Sequence, residues 1–288
     1  MQRLSHSLLS FILMLSGFSL TYASESGRVG QPIVLAVHPY LPFQELKKRY
    51  LPLANYLQKA LGREVVVRIG RDYGEHITHI GKNRVDIAYL GPAAYIRLVE
   101  KYGRKPLLAR LEVNGEPVFH GYLVTSPQSG VSDIQSLRGK RFAFGDPAST
   151  MSHLVPRHML LDNGIDVGDL ADYQFLGSHK NVALAVLSEA FDAGAVKEEV
   201  MEYYKGRGLK AFAKSAPFSE HLFVARSDAP DHFVEVVRKA LYQMSDTDEG
   251  RTILRTIKHS VTSLVPVDDA DYDNLRAVLK HLSERGVE

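Results

Sequence analysis

The sequence predicts an α/β protein of two similar lobes joined by two strands, and three observations carry that expectation. Short apolar runs alternate with amphipathic stripes of helical spacing, the order that builds sheets covered by helices. The alternation occurs twice, near residues 31–120 and again near 126–220. Two longer strand-like segments, 119–125 and 221–226, lie where the chain would cross between the two runs and back.

Residues 33–37 are apolar throughout, as in a strand covered on both faces. A helical stripe follows over 46–61, through Leu53, Tyr56, Leu57, Ala60 and Leu61, and Gly62 ends it. The run 65–69 is the next strand, Ile77 and Ile80 mark a short helix, and 85–89 is a strand leading into Leu90-Gly91-Pro92. Pro92 opens the next helix, 93–102, as a first-turn proline does. The second run reads as strand 141–144, helix 154–161, strand 173–176, helix 182–190 and strand 191–196. The sheets are expected to be largely parallel, and the tail from Ala229 reads as helical. The expected first lobe is 31–120 with 226–288, the second is 126–220, and 121–125 and 221–225 form the hinge.

Composition removes several functions. Arg3 and His6 precede an apolar run from Leu8 to Leu20, and Thr21-Tyr22-Ala23 follows, the layout of a cleavable export signal over 1–23. That run is shorter than the roughly 20 residues needed to span a bilayer. The absence of cysteine excludes disulfides, an acylated cysteine and thiol catalysis. Net charge is +2 with both signs mixed, so no nucleic-acid footprint is expected. Ser149, His179 and Asp192 have the composition of a hydrolase triad, but no Gly-x-Ser-x-Gly elbow surrounds the serine. The 12 histidines form no His-Glu-x-x-His, and His76 with His79 lacks a partner set. No catalytic residue, metal or cofactor is therefore expected.

Binding chemistry gathers instead at strand ends, where open α/β sheets hold ligands. Tyr40 follows the first strand, Tyr73 the second, and Tyr89-Leu90-Gly91 closes the third. In the second run Ser149 and Thr150 follow Phe144, and Gly177-Ser178-His179 follows Leu176. Ser149, Thr150 and Ser152 open a helix, where free amides and the macrodipole favour an oxyanion. The plainer reading is that these hydroxyls cap the helix. Tyr40, Tyr73 and Tyr89 are of a type that more often forms core or cleft wall than ligand contacts. Asp192 would serve to bond the strand end, and Glu199, in Lys197-Glu198-Glu199, to complement a helix dipole.

Five pieces in consistent order carry a resemblance: Asp86-Ile87-Ala88-Tyr89-Leu90-Gly91-Pro92-Ala93-Ala94-Tyr95, Asp146-Pro147-Ala148-Ser149-Thr150, Leu154-Val155-Pro156, Gly177-Ser178-His179, and the stretch from Val186 through Asp192-Ala193-Gly194-Ala195-Val196. Over nearly the whole chain after the export signal, the sequence resembles the phosphate/phosphite/phosphonate-binding family of periplasmic solute-binding proteins that feed ABC importers. The resemblance implies the two-lobed, hinge-closing fold of type II binding proteins. It implies that Ser149, Thr150, Ser152 and His179 grip an oxyanion, with Tyr73 and the Leu90-Gly91 turn closing from the first lobe. Asp192 and Glu199 resemble positions that face an ammonium group in aminophosphonate binders. The family's usual Ser-Gly pair is here replaced by Met151-Ser152-His153, bulk that narrows the pocket or alters the helix start. A phosphorus oxyanion suits such a site, since its acceptors call for several hydroxyl, amide and imidazole donors. His179 donates either neutrally or with a proton's charge. The expected protein is a periplasmic monomer that delivers its solute to a membrane permease. The alternative is a sensing or docking module that reports the solute to a membrane signalling protein.

Overall fold

A computed structural model of the chain describes residues 30–287, so the expected export signal, 1–23, lies outside the described residues. The first half runs β1 (Ile33–Val37), α1 (Phe43–Leu61), β2 (Val65–Ile69), α2 (Tyr73–Gly81), β3 (Ile87–Leu90), α3 (Pro92–Tyr102) and β4 (Leu107–Val113). The chain then crosses through β5 (Val118–Phe119) into β6 (Gly121–Thr125), β7 (Arg141–Phe144), α4 (Val155–Asp162), β8 (Asp172–Phe175), α5 (His179–Leu187), β9 (Ala193–Lys197), α6 (Glu198–Lys205) and β10 (Lys210–Lys214). It returns through β11 (Phe218–Ser219) to β12 (Leu222–Ala225), α7 (Asp231–Tyr242), α8 (Asp248–Ile257), β13 (Val261–Val265) and α9 (Asp273–Glu284).

Two sheets result. The first has the order β13-β4-β12-β3-β1-β2 and the second β10-β6-β9-β7-β8. The fold is that of two α/β lobes, but neither sheet is largely parallel. In the first, only β1 pairs parallel with β2 and β3, and β12, β4 and β13 pair antiparallel. In the second, β7 pairs parallel with β8 and β9, while β6 and β10 run antiparallel. The antiparallel members are the strands that cross between lobes, or that join an edge afterwards. β13 corrects the helical reading of the tail. Its register on β4 makes these five residues an edge of the first sheet within an otherwise helical tail. The expected hinge, 121–125 and 221–225, is also corrected. Those residues are β6, inside the second sheet, and β12 with its preceding residue, inside the first. The link between lobes lies just before each of them. There Phe119 pairs with Phe218 and Val118 with Ser219, in a ribbon of two residues per strand.

Apolar periodicity sets the layers. Leu46, Tyr50, Leu53 and Leu57 of α1 join Val237 of α7 and Leu254 of α8 on one face of the first sheet. Gly62, at φ +62°, ends α1 as its sequence position implies. α2, α3 and α9 cover the other face, where Tyr95 and Leu275 pack with Met151, Leu154 and Val155 of the second lobe. The lobes thus share apolar contact beside the cleft. Near the crossing, Glu220 is 1% exposed yet fully engaged. It accepts from Lys258 Nζ at 2.8 Å, the His221 amide at 2.9 Å and His221 Nδ1 at 2.8 Å. Burial opposes that charge, but Lys258 and His221 hold the carboxyl well below its ordinary range.

Candidate functional site

The cleft between the sheets is built from strand ends and helix starts. On the second-lobe side, Ser149 caps a π-helical turn, Thr150–Leu154, that runs directly into α4. Its Oγ accepts from the Ser152 amide at 3.3 Å and lies 3.4 Å from His179 Nε2. His179 opens α5, and its Nδ1 accepts from the Lys197 amide at 3.1 Å. The ring proton is therefore on Nε2, aimed at the cleft. Burial, with Lys197 nearby, pushes the His179 pKa down to about 3, so this ring donates as a neutral group. Thr150 Oγ1 reaches across the cleft and accepts from the Ala93 amide at the start of α3, at 3.2 Å. Its hydroxyl proton is left for another acceptor.

The first-lobe side is aromatic and imidazole. His38 follows β1 directly and is 2% exposed. Its ring lies 4.7 Å from Tyr40, 5.4 Å from Tyr73 and 5.3 Å from His221, centre to centre. Neither nitrogen of His38 has a hydrogen-bond partner among the described residues. Buried polar atoms left so are rare and costly, of order 1–3 kcal/mol each. Burial, then His221, His76 and Lys197, hold His38 neutral by lowering its pKa well below the usual value. Burial likewise lowers His76 to about 4 and raises Tyr40 to about 12. His221 turns its Nδ1–H to Glu220, which leaves Nε2 as a lone pair when the ring is neutral.

These side chains enclose a cavity lined by His38, Tyr40, Tyr73, Gly91, Ser149, Thr150, Met151, His179, Lys197 and His221, among others. About 30 Å³ remains in which a water-sized molecule can be centred, so the cleft is nearly shut. Six of the residues picked out in the sequence meet there: Tyr40, Tyr73, Gly91, Ser149, Thr150 and His179. Tyr89 stands one layer behind, stacked on His221 at 5.5 Å, and faces a neighbouring small cavity with Glu199 and Glu220.

Four expectations are corrected. Leu90 alternates to the opposite face of β3 and is buried in the core. Ser152 is fully buried, its Oγ without a partner among the described residues and pressed over Gly145, where a Cβ would overlap that oxygen. Only the Ser152 backbone takes part, through Ser149. Asp192 precedes β9 and so lies at the far end of the sheet. There its carboxylate binds the Arg141 amide at 2.8 Å and the Arg141 guanidinium at 2.8 and 3.2 Å. Glu199 is near the cleft but already paired, 2.9 Å from Lys197 Nζ and 4.0 Å from Arg49. Burial opposes its charge, yet these cations bring the Glu199 pKa to about 2. Of the departures Met151 and His153, Met151 lines the cavity. His153 binds the Pro147 carbonyl at 2.7 Å and sits against Phe144 and Phe175, outside it.

Sequence reasoning passed over His38, Lys197 and His221. The signal was present, because His38 and Lys197 stand at the carboxyl ends of β1 and β9, the same rule that selects Tyr40.

Residues 35–272 match the family described as ABC transporter, phosphonate, periplasmic substrate-binding protein, and the chain belongs to that family. It is 27% identical over 273 residues to the phosphate-import protein PhnD of Mycolicibacterium smegmatis, covering 86% of this chain and 85% of that one. It is 26% identical over 208 residues to the probable ABC transporter phosphite-binding protein PhnD1 of Prochlorococcus marinus, 68% of this chain and 70% of the relative. The structure of PhnD1 in complex with methylphosphonate superposes with a TM-score of 0.79 at 19% identity, covering 87% of this chain and 98% of the other. The protein is thus a periplasmic substrate-binding protein of an ABC transporter.

Proposed function

We propose that this member of the periplasmic phosphonate-binding family holds a small phosphorus oxyanion in the cavity between His38 and Ser149. Phosphate, phosphite and simple alkylphosphonates are the candidates. The observation that carries this reading is His38: a buried imidazole with two unpartnered nitrogens, facing hydroxyls and a donating imidazole across a small cavity. An oxyanion there receives Ser149 and Thr150 hydroxyls, His179 Nε2–H, one N–H of His38, and the charge of Lys197. Neutral donors predominate, so little charge has to be stripped of water when the cleft shuts.

The same geometry favours anions without an ammonium group. Asp192 is at the wrong end of β9, and Glu199 is already met by Lys197, so no free carboxylate faces the cavity among its lining residues. A ligand gripped from both sheets bridges them only when they are closed, so binding stabilises the shut form. The working cycle is export through a signal cleaved after Ala23, capture, and delivery to the membrane permease.

Thermal-shift measurement tests this. Phosphate, phosphite, methylphosphonate, 2-aminoethylphosphonate and sulfate are compared on one preparation. A true ligand at a hundred times its Kd adds about 2.7 kcal/mol of stability. If none of the phosphorus compounds raises the melting temperature, the reading is wrong.

A further inference from the structure

Away from the cleft, three side chains converge as metal ligands do. His158 and Asp162 stand one turn apart on α4, with His158 Nε2 at 3.3 Å from Asp162 Oδ2. α9 brings His281 to the same place. Its Nδ1 is 3.0 Å from His158 Nδ1 and 3.8 Å from Asp162 Oδ1. One ligand atom from each residue lies within 4.8 Å of the other two. Two metal bonds of about 2.1 Å at a tetrahedral angle place their ligand atoms roughly 3.4 Å apart, which the 3.0 and 3.8 Å separations of His281 Nδ1 from His158 Nδ1 and Asp162 Oδ1 bracket. The imidazole planes stand at 87°, so the rings do not stack.

An ordinary hydrogen bond also joins two neutral imidazoles, with one proton between the nitrogens. A metal takes the place of that proton, which moves to the Nε2 of the same ring, and a carboxylate alongside supplies compensating charge. Two imidazoles and a carboxylate are borderline donors that suit zinc. The setting is half-buried to exposed, which leaves a fourth position for water.

We propose that His158, Asp162 and His281 form a binding site for zinc or a similar divalent transition ion. Two ligands come from a second-lobe helix and one from the tail helix that covers the first sheet. The ion therefore ties the lobes together at a point separate from the anion cavity. Nothing in this site depends on which solute the cleft holds.

Cobalt(II) is the probe, because a four-coordinate ion absorbs strongly in the visible. Chelator-treated protein titrated with cobalt should take up one equivalent with that spectrum, and zinc should displace it. His281→Ala and Asp162→Asn should each weaken uptake about tenfold or more, with circular dichroism unchanged. Zinc should raise the melting temperature of the parent and not of His281→Ala. A control variant lacking the exposed His232 and His259 should bind as the parent does. The proposal is overturned if the parent shows no such spectrum, if both site variants keep parental affinity, or if the control loses the site.

Discussion

Two helix starts face each other across the cleft and are finished differently. The turn before α4 caps itself, since Ser149 Oγ takes the Ser152 amide. α3 begins at Gly91-Pro92 with no side-chain cap of its own, and its Ala93 amide is met by Thr150 from the other lobe. The second-lobe turn is thus capped from within, whereas the helix start of the first lobe is capped across the cleft by the second. The rings around the first start show the same contrast. His179, on the second lobe, has Nδ1 fixed by a backbone amide, while His38, on the first, has no partner on either nitrogen among the described residues. On the proposed function, the difference separates a gripping side from a side that waits for the ligand.

The largest expected effect breaks the gripping side. Replacing Ser149 and Thr150 together with Ala should weaken oxyanion binding by about 2–4 kcal/mol, at roughly 1–2 per lost donor. Calorimetry showing unchanged affinity in a folded variant would remove the second-lobe turn from the site. Next comes the waiting side. His38→Phe deletes a donor to a charged group and should raise Kd about ten- to a hundredfold. The empty variant should melt no lower than the parent, because unpartnered buried nitrogens have gone. A lower melting point with unchanged Kd would make His38 a packing residue.

A smaller effect concerns charge at the cleft. With Glu199 engaged by Lys197, 2-aminoethylphosphonate should bind about tenfold or more weakly than methylphosphonate, because its ammonium meets Lys197 at short range. Equal or tighter binding, read by the same calorimetry, would mean that Glu199 leaves Lys197 for the ligand.

The last effect is absent at neutral pH and grows in acid. His179 and His76 are held to about 3 and about 4 in the folded protein, while unfolded histidine titrates near 6.5. Between about 4 and 6.5 the unfolded chain binds more protons, so stability should rise with pH across that window and level off above it. A melting temperature that stays flat from pH 4 to 7 would show that these rings are charged in the native cleft.

Much of the fold was legible because continuous apolar runs such as Ile33–Val37, and stripes such as that of α1, have one plausible use. β10 and β13 were not, since Lys210-Ala-Phe-Ala-Lys214 and Val261-Thr-Ser-Leu-Val265 are edge strands whose polar residues interrupt the apolar signal. The long runs at 119–125 and 221–226 disclosed strands but not where the chain passes between sheets, because pairing partners decide that. At the site, Ser149, Thr150 and His179 were readable from their places after strands. Asp192 and Leu90 failed for a geometric reason. One residue along a strand reverses the face, and five reverse the end of the sheet. His38 was readable in kind, but its importance rests on unpartnered atoms, which only packing reveals.

The buried carboxylate of Glu220 has a mechanical consequence. Removing either partner from such an ion pair costs about 3–5 kcal/mol, so a relative movement that separated Glu220 from Lys258 would be strongly resisted. Lys258 directly follows α8, so Glu220 is riveted to the first lobe. On the other side, Gly121 donates to Ser215 Oγ at 2.9 Å and its carbonyl takes the Ser215 amide at 2.9 Å, which rivets that strand pair to the second lobe. Little chain is left between the rivets: on the returning crossing only the four residues 216–219, the last two of them paired with Val118 and Phe119 of the outgoing crossing. If the cleft closes as proposed, that short joint, and not the solute, sets the direction in which the lobes approach.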